Sequence, residues 1–441
     1  MSFAFTFNPN RCTGCGACVV GCWMENREQQ TQPWREVHVF NPGRLPGLPL
    51  FQLSLACHHC EDPACLNNCP ADAYTQDPTT GAVTIHGERC MGCRYCTWAC
   101  PHDAPKFNAA AGTIEKCTFC PSRIEEGLEP ACVARCPVEA LGFEAKVDGR
   151  PLSAAPPGFP DSALRPSIRF VPLRKPVPEK APGTARWARL LEEMLAVPEP
   201  KITLRGEWGL LLFTTTMAAL ASWFSAALMG GPAVRQLPFL ASGTLVMGLS
   251  ILHLGRPERA WRAILHLRTS WLSREILLTG LFLGLAGVQM LFLPQARVLA
   301  WVAGIIGFLG LLAIDRIYRV ALKVKPWNLH SGSALLTGFY LLGFLGGIPS
   351  LIYGAGALKL ALYLLRKGHS ISQGRYSRPW LSGLRLTLGF LIPLLLLPWN
   401  PVLAAPAALL GDLLDRAEFY DELRIPSPQM ELASELRQRL G

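Results

Sequence analysis

The sequence predicts a multi-domain chain: an N-terminal α+β domain, a proline-rich linker and a C-terminal all-α domain that spans a membrane about eight times. Three observations predict this order. All sixteen cysteines lie in the first 136 residues, eleven prolines fall between Pro151 and Pro200, and apolar runs of membrane-spanning length follow one another from Glu207 onwards. The predicted parts are residues 1–145, 146–206, 207–420 and a polar C-terminal tail at 421–441.

The cysteines fall into four groups of four, here called quartets, and none is left over. The first and third have the spacing C-x2-C-x2-C-x3-C, and the other two keep the final C-x3-C but lengthen an earlier gap. This spacing is typical of bacterial ferredoxins, in which three thiolates of a run hold one [4Fe-4S] cluster and the fourth reaches another cluster. In chain order the quartets are Cys12, Cys15, Cys18 and Cys22; Cys57, Cys60, Cys65 and Cys69; Cys90, Cys93, Cys96 and Cys100; and Cys117, Cys120, Cys132 and Cys136.

Disulfides and zinc are the two other uses of an even number of cysteines. Eight disulfides would not need fixed triplets, and cysteines so close along a chain seldom pair with each other. Zinc ligands in C-x2-C pairs separated by a loop fit the fourth quartet alone. Four quartets that all begin with C-x2-C and end with C-x3-C therefore favour four [4Fe-4S] clusters in a tandem ferredoxin-like fold. Three quartets also end in one phrase, in which proline turns the chain away: Cys69-Pro70-Ala71-Asp72-Ala73, Cys100-Pro101-His102-Asp103-Ala104 and Cys136-Pro137-Val138-Glu139-Ala140.

The stretch between the second and third quartets predicts which quartets exchange ligands. Residues 74–85 alternate in character around a central turn signal, which is typical of the hairpin of one compact two-cluster ferredoxin. The second and third quartets then form an inner ferredoxin, and the first and fourth form an outer ferredoxin around it. The predicted ligand sets are Cys57, Cys60, Cys65 and Cys100; Cys90, Cys93, Cys96 and Cys69; Cys12, Cys15, Cys18 and Cys136; and Cys117, Cys120, Cys132 and Cys22.

The residues between the cysteines are also characteristic. They read Cys12-Thr13-Gly14-Cys15-Gly16-Ala17-Cys18, Ala56-Cys57-His58-His59-Cys60-Glu61-Asp62-Pro63-Ala64-Cys65 and Cys90-Met91-Gly92-Cys93-Arg94-Tyr95-Cys96. These motifs resemble the four-cluster electron-transfer subunits of molybdenum oxidoreductases of the dimethyl sulfoxide reductase type, over about residues 1–145. The resemblance implies a wire of clusters between a quinone site and a separate catalytic subunit that carries molybdopterin-guanine dinucleotide. No part of this sequence resembles a molybdopterin domain, so the terminal substrate stays open.

The second half of the chain predicts a membrane domain. The proline-rich linker before it favours extended backbone, with an edge strand or a partner contact at 167–172. Residues 184–196 predict an amphipathic helix, whose apolar face would lie under the cluster domain or on the membrane. The predicted spans are 208–230, 238–254, 276–293, 298–315, 332–347, 350–365, 382–398 and 402–420.

Several phrases of this half resemble the anchor subunit of the same reductase family, over about residues 207–420. They are Glu207-Trp208, Leu252-His253-Leu254-Gly255-Arg256-Pro257, Ser270-Trp271-Leu272-Ser273-Arg274-Glu275, Arg316-Ile317-Tyr318-Arg319, Pro326-Trp327-Asn328, Gly411-Asp412-Leu413-Leu414-Asp415-Arg416 and Phe419-Tyr420. The chain therefore resembles a fusion of two subunits, the iron–sulfur subunit and its membrane anchor. The resemblance implies oxidation of a quinol, of the menaquinol type, in this half.

His253 is the main candidate for this chemistry, because a neutral imidazole at a span end can take the proton of a quinol hydroxyl. The family's anchor has a histidine in the matching phrase, and the alternative role is that of a polar helix end. Arg256, Arg274 and Glu275 are weaker candidates, since charged residues at span ends are often interfacial anchors. Trp271 would stack on a quinone ring or mark the membrane interface. Haem is not expected, because the remaining histidines of this half, His266, His330 and His369, lie in loops or at span ends.

Charge leaves the side of the membrane open. Residues 1–146 carry 11 basic and 15 acidic side chains, whereas the remainder carries 31 and 17, which a membrane domain with cationic loops explains without nucleic acid. These loops would place the cluster domain in the cytoplasm, while the best-known relatives place it outside. We see no secretory signal or twin-arginine motif at the N-terminus.

Two alternative functions stay open. One is electron flow from a partner to quinone, and the other is a membrane half that only anchors the chain or translocates ions.

Overall fold

The computed structural model describes residues 2–146, 155–160, 163–179, 201–319, 330–372, 378–423 and 425–440, and the chain forms two compact units. The first unit consists of Met1–Lys201 with Ile425–Gly441, and the second of Ile202–Arg424. The amphipathic helix predicted at 184–196 and the phrase at 326–328 lie outside the described residues.

A three-stranded sheet joins the beginning and the end of the cysteine-rich segment. Its strands are β1 (Phe3–Phe7), β8 (Leu141–Ala145) and β9 (Ile168–Phe170), with β1 in the middle. Strand β1 pairs antiparallel to β8 and parallel to β9. Because β1 precedes the first quartet and β8 follows the fourth, this pairing brings the two outer quartets together. Strand β9 is the edge strand predicted at 167–172.

Three hairpins complete the β-structure of this unit. They are β2 (Glu36–Phe40) with β3 (Phe51–Leu55), β4 (Tyr74–Gln76) with β5 (Val83–Ile85), and β6 (Lys106–Asn108) with β7 (Thr113–Glu115). The β4–β5 hairpin confirms the prediction from residues 74–85. Asp77 holds its turn, because its Oδ1 accepts the N–H of Thr79 at 2.7 Å, and Gly81 supplies a φ of 78°.

Short helices carry or follow the cysteines. They are α1 (Ala17–Asn26), α2 (Ala64–Asn67), α3 (Tyr95–Ala99), α4 (Pro121–Glu125) and α5 (Ala131–Ala134). Helix α1 crosses α5 at Gly21, where an added Cβ would lie 2.7 Å from Cγ of Arg135. Glycine therefore lets the helix of Cys22 approach the helix of Cys132.

The chain end differs from the predicted polar tail. Residues Pro428–Leu440 form helix α14, and Leu432 and Leu436 are buried in the core of the first unit. These leucines are four residues apart, so they lie on one face of the helix. The helix is therefore amphipathic, and its apolar face packs against the core.

The described part of the second unit contains eight α-helical segments, one over each predicted span. They are α6 (Leu204–Leu228), α7 (Gln236–Ile251), α8 (Trp271–Leu291), α9 (Arg297–Tyr318), α10 (Ala334–Gly346), α11 (Pro349–Ser372), α12 (Pro379–Leu396) and α13 (Pro401–Glu422). A 3-10 helix, Pro257–Ile264, precedes α8. Among the described residues, α6, α8, α9 and α12 are long and apolar enough to cross a membrane, and α7 and α10 are shorter apolar helices.

Helices α12 and α13 meet at a close crossing of two glycines. A Cβ added at Gly411 would lie 2.2 Å from Cα of Gly389, so no larger side chain fits there without a shift. Gly389 lies in a π-helical turn, Thr387–Leu391, which interrupts α12. This contact brings the polar face of α13 directly against α12.

Candidate metal centres and membrane site

One cavity of the first unit is lined by the predicted set of the second quartet. Its walls include Cys57, Cys60 and Cys65, together with Cys100 of the third quartet. The Cys60 thiol interacts electrostatically with the other three. Two loops distant in sequence thus place four sulfur atoms around one space.

A second cavity contains the complementary set. Cys90, Cys93 and Cys96 line it with Cys69 of the second quartet, and Tyr74 forms part of the wall. The structure therefore brings these eight thiols together as the ligand exchange within the inner ferredoxin requires.

The outer quartets show the same exchange in their electrostatic contacts. The Cys12 thiol interacts with Cys15, Cys18 and the distant Cys136. The Cys22 thiol interacts most strongly with Cys132, and it also interacts with Cys120. Cys117, the remaining member of the fourth quartet, interacts with Cys22 as well. These neighbours match the predicted outer ligand sets.

The repeated phrase after the cysteines forms a turn that points a backbone N–H at sulfur. Its acidic residue has a positive φ each time, at Asp72 (49°), Asp103 (53°) and Glu139 (50°). The next residue then donates to the cysteine: the N–H of Ala73 lies 3.4 Å from Cys69 Sγ, and that of Ala140 lies 3.2 Å from Cys136 Sγ. Hydrogen bonds of this kind stabilise thiolates that bind iron–sulfur clusters.

These cavities suit a group larger than one ion. Among the described residues, no three His, Cys, Asp or Glu side chains form a group that could hold a single metal ion. The sulfurs instead line the cavity walls, and N–H groups point at them, which fits [4Fe-4S] clusters. Burial raises the pKa of the Cys22 thiol to about 12, an effect to which Cys132 adds, and the thiol would have to lose its proton to hold a cluster.

Buried basic side chains surround the thiols, and the sequence motifs did not point to them. Lys116 lines the cavity of Cys57 and donates to the Cys117 carbonyl at 2.8 Å. Arg35 donates to Ser54 Oγ at 3.1 Å. No local pattern distinguishes these two residues from surface cations.

Two adjacent histidines of the second quartet line the same cavity. Burial lowers the pKa of both His58 and His59 well below the ordinary value, so both imidazoles are neutral. Nδ1 of His59 accepts the N–H of Val83 at 2.9 Å.

In the second unit, the predicted quinol residues lie at one end of the helix pair α7–α8. His253 follows the end of α7, and Glu275 lies buried just after the first turn of α8. Because a single connection joins these two ends, His253 and Glu275 lie at the same end of the pair. Arg256 lies directly before the 3-10 helix, and its partly exposed side chain pairs with Glu258 at 3.7 Å.

The Trp271 ring is covered by two guanidinium groups. Arg274 lies over it at 4.4 Å and Arg316 of α9 at 5.7 Å. Arg274 also donates to the carbonyl of Leu267 at 2.9 Å. The structure thus joins Trp271 and Arg274 in a cation–π contact of the kind that orders interfacial aromatic rings.

Lys359 lies within the predicted span 350–365, and it stands at one end of a series of ion pairs, here called the ladder, between helices α11, α12 and α13. It is fully buried and lies 3.2 Å from Asp412. Arg385 lies 3.2 Å from Asp412 and 2.9 Å from Asp415. Arg366 continues the ladder 2.8 Å from Asp415. Further contacts join Lys367 to Glu418 at 2.9 Å and to Glu422, and Arg366 to Glu422 at 3.0 Å and to Glu418 at 3.9 Å.

Other family-like phrases meet near this ladder. The hydroxyls of Tyr318 and Tyr420 share a hydrogen bond, and the Arg416 guanidinium lies 5.4 Å from the Tyr318 ring. His330 stacks on Phe419 with ring centres 4.1 Å apart. The end of α9, the segment before α10 and the end of α13 therefore form one buried cluster of polar and aromatic side chains.

Two cavities lined by cysteines and two further groups of neighbouring cysteines, followed along the chain by a unit of apolar helices, define an iron–sulfur electron-transfer protein with a membrane anchor. Family profiles agree with both halves. The 4Fe-4S dicluster domain matches residues 49–146, and the DMSO reductase anchor subunit (DmsC) matches residues 239–360.

Individual relatives cover the cysteine-rich half. The anaerobic dimethyl sulfoxide reductase of Haemophilus influenzae has a chain that is 36% identical over 151 residues, which is 32% of this chain and 73% of the relative. The corresponding chain of the Escherichia coli reductase is 35% identical over 149 residues, or 32% of this chain and 72% of the relative. In the tetrathionate reductase of Salmonella typhimurium, the matching subunit is 38% identical over 136 residues, or 30% and 54%. This polypeptide belongs to the family of dimethyl sulfoxide reductase iron–sulfur subunits, and it carries the anchor-subunit domain as well.

Proposed function

We propose that this chain carries electrons from a menaquinol-type quinol, through four [4Fe-4S] clusters, to a separate catalytic subunit that holds molybdopterin-guanine dinucleotide. The observation that carries this proposal is the arrangement of the inner cysteines in two cavities, each with three cysteines of one quartet and the last cysteine of the other. Such exchange is what places two clusters of a ferredoxin close enough for electron transfer.

The membrane half would contain the quinol site. Oxidation of a quinol releases two electrons and two protons, so a proton acceptor must stand at the hydroxyl. We assign this role to His253. Glu275 is the second proton-accepting candidate, and Arg256 and Arg274 would orient the quinol oxygens. Trp271 would offer the ring its aromatic face, although Arg274 already covers one side of it.

The membrane half would cross a bacterial inner membrane eight times. The four long apolar helices support crossings directly, and α7, α10, α11 and α13 would complete the bundle through helix contacts and internal ion pairs. The basic residues at the end that carries His253, with Arg256, Arg268 and Arg274 among them, favour the cytoplasm for that end. Protease access to the cluster domain in sealed cells would test this side.

The proposal is tested by low-temperature EPR on anaerobic membranes after addition of a menaquinol analogue. The comparison is wild type against His253→Ala, with His266→Ala as the matched control, because His266 lies in the same connection and its ring contacts Thr269 at 3.0 Å. Slower cluster reduction in His253→Ala alone would support the proposed entry point. Dithionite reduction of every sample would show that the clusters are intact.

Two other outcomes would contradict parts of the proposal. Equal reduction rates in all three samples would remove His253 from the chemistry. Reduction by the catalytic partner but never by quinol would favour the opposite direction of electron flow, or a membrane half that only anchors the chain.

A further inference from the structure

Lys116 touches two of the four cluster sites at once. Only 1% of it is exposed, and its ammonium group donates to the carbonyls of Val83 and Cys117. The same residue lines the cavity of Cys57. A single buried positive charge therefore stands at the wall of one cluster site and directly beside a ligand of another.

These two sites belong to different ferredoxins. Cys57 holds the inner ferredoxin's cluster, whereas Cys117 belongs to the outer one. The Lys116 ammonium interacts electrostatically with Cys57, Cys65 and Cys117, and the Cys117 thiol interacts with Cys57. Lys116 thus marks the junction between the inner and the outer ferredoxin.

The other two junctions contain different side chains. The hydroxyl of Tyr74, buried in the wall of the Cys90 cavity, interacts with Cys96 on one side and Cys65 on the other. Arg35 interacts with Cys132 and with Cys18, so it lies between the two outer sites. These contacts put the four sites in an order in which each neighbours the next, and Lys116 lies at the middle one of the three junctions.

A cation at this place has a clear electrostatic effect. Reduction adds one negative charge to a [4Fe-4S] cluster, and charge interactions are strong where water is excluded. A buried ammonium group beside two clusters therefore favours the reduced form of both. Net charge and hydrogen bonding near the sulfurs are the means by which proteins set cluster potentials.

We propose that Lys116 raises the reduction potentials of the two clusters that meet at the junction of the inner and outer ferredoxins, and so stabilises an electron on either of these two central clusters. This inference rests on the proposed four-cluster wire. Lys116 acts on the clusters through its charge, and it forms and breaks no bond. It is therefore a positioning residue and not a catalytic one.

The test is a mediated potentiometric titration of the cluster-loaded full chain, followed by EPR. Lys116→Gln keeps a donor for the carbonyls but removes the charge, Lys116→Met removes both, and Lys116→Arg keeps the charge. Lys106→Met is the matched control, because this half-buried lysine of the same unit pairs with Glu36 and Asp103, both at 2.9 Å.

In both neutral variants we expect two of the four potentials to become more negative, with about a tenfold lower reduced-to-oxidised ratio at fixed potential, or about 59 mV for one electron. The arginine variant should restore them, and the control should match wild type. The shifted signals should be those lost in Cys65→Ser and Cys120→Ser.

Unchanged potentials in Lys116→Gln with four intact clusters would overturn the inference. Failure of both neutral variants to assemble four clusters would also overturn it, because Lys116 would then serve folding. The titration uses chemical mediators and needs neither quinol nor a catalytic partner. Its result is therefore separate from the His253 experiment, whose failure would affect only the proposed function.

Discussion

Neutralising Asp415 should destabilise the second unit far more than neutralising an exposed carboxylate on the same helix. The Asp415 side chain is fully buried, and it accepts hydrogen bonds from Ser331 at 2.8 Å, Arg366 at 2.8 Å and Arg385 at 2.9 Å. In Asp415→Asn the fully buried Arg385 keeps one anionic partner among the residues that the structure describes, Asp412 at 3.2 Å.

The expected loss follows from this burial. Removing one partner of a buried ion pair leaves an uncompensated charge and costs about 3–5 kcal/mol. Asp421→Asn is the matched control, because Asp421 pairs with Arg378 at 2.9 Å while their side chains are 34% and 56% exposed. Loss of a surface pair costs at most about 1 kcal/mol.

The assay is unfolding of the purified chain in mixed detergent micelles with increasing sodium dodecyl sulfate, followed by tryptophan fluorescence. Visible absorbance of the clusters would report separately that the first unit stays intact. A loss below about 1 kcal/mol in Asp415→Asn, or equal losses in both variants, would refute the view that the ladder stabilises these helices.

Three further changes test the ligand sets and the helix crossings. Cys22→Ser should remove the cluster of the fourth quartet, about four of about sixteen iron atoms by analysis; loss of the first quartet's EPR signal instead would contradict the exchange. Gly21→Leu should push α5 from α1, cost about 1–3 kcal/mol and weaken the same cluster, whereas Gly87→Ala, which meets no atom within 4 Å, should leave thermal unfolding unchanged. Gly411→Ala should separate α12 from α13 and lower the free energy of unfolding in detergent by a similar amount. Gly383→Ala is the control, because a Cβ added there meets no atom within 4 Å. If both variants lost the same stability, close packing would not be the cause.

Much of the first unit was predictable because its information is local. The distance between cysteines along the chain limits which sulfurs a loop can place around one cluster, and the turn at Asp77 and Gly81 specifies the hairpin between the inner quartets. The helices of the second unit were predictable for a similar reason, since long apolar runs indicate spans without knowledge of their neighbours.

The helix at the chain end was missed for a different reason. Its composition is polar, and the leucines that pack, Leu432 and Leu436, were not recognised as a face. Lys359 shows the same limit in the second unit. A lysine in an apolar run gives no sign of its partner, because Asp412 is on another helix and only the fold brings them within 3.2 Å.

By itself, the sequence determined the cysteine quartets, the order of a cluster domain before a membrane domain and the resemblance to a reductase family, because spacing, composition and hydrophobic runs act over short stretches of chain. Only the tertiary structure decided which charges meet. It placed Lys116 near thiols of the second and fourth quartets, and it joined α11, α12 and α13 through Arg366, Arg385 and Asp415. The physical reason is that electrostatic interactions depend on distance and burial in the folded chain, which separation along the sequence does not specify.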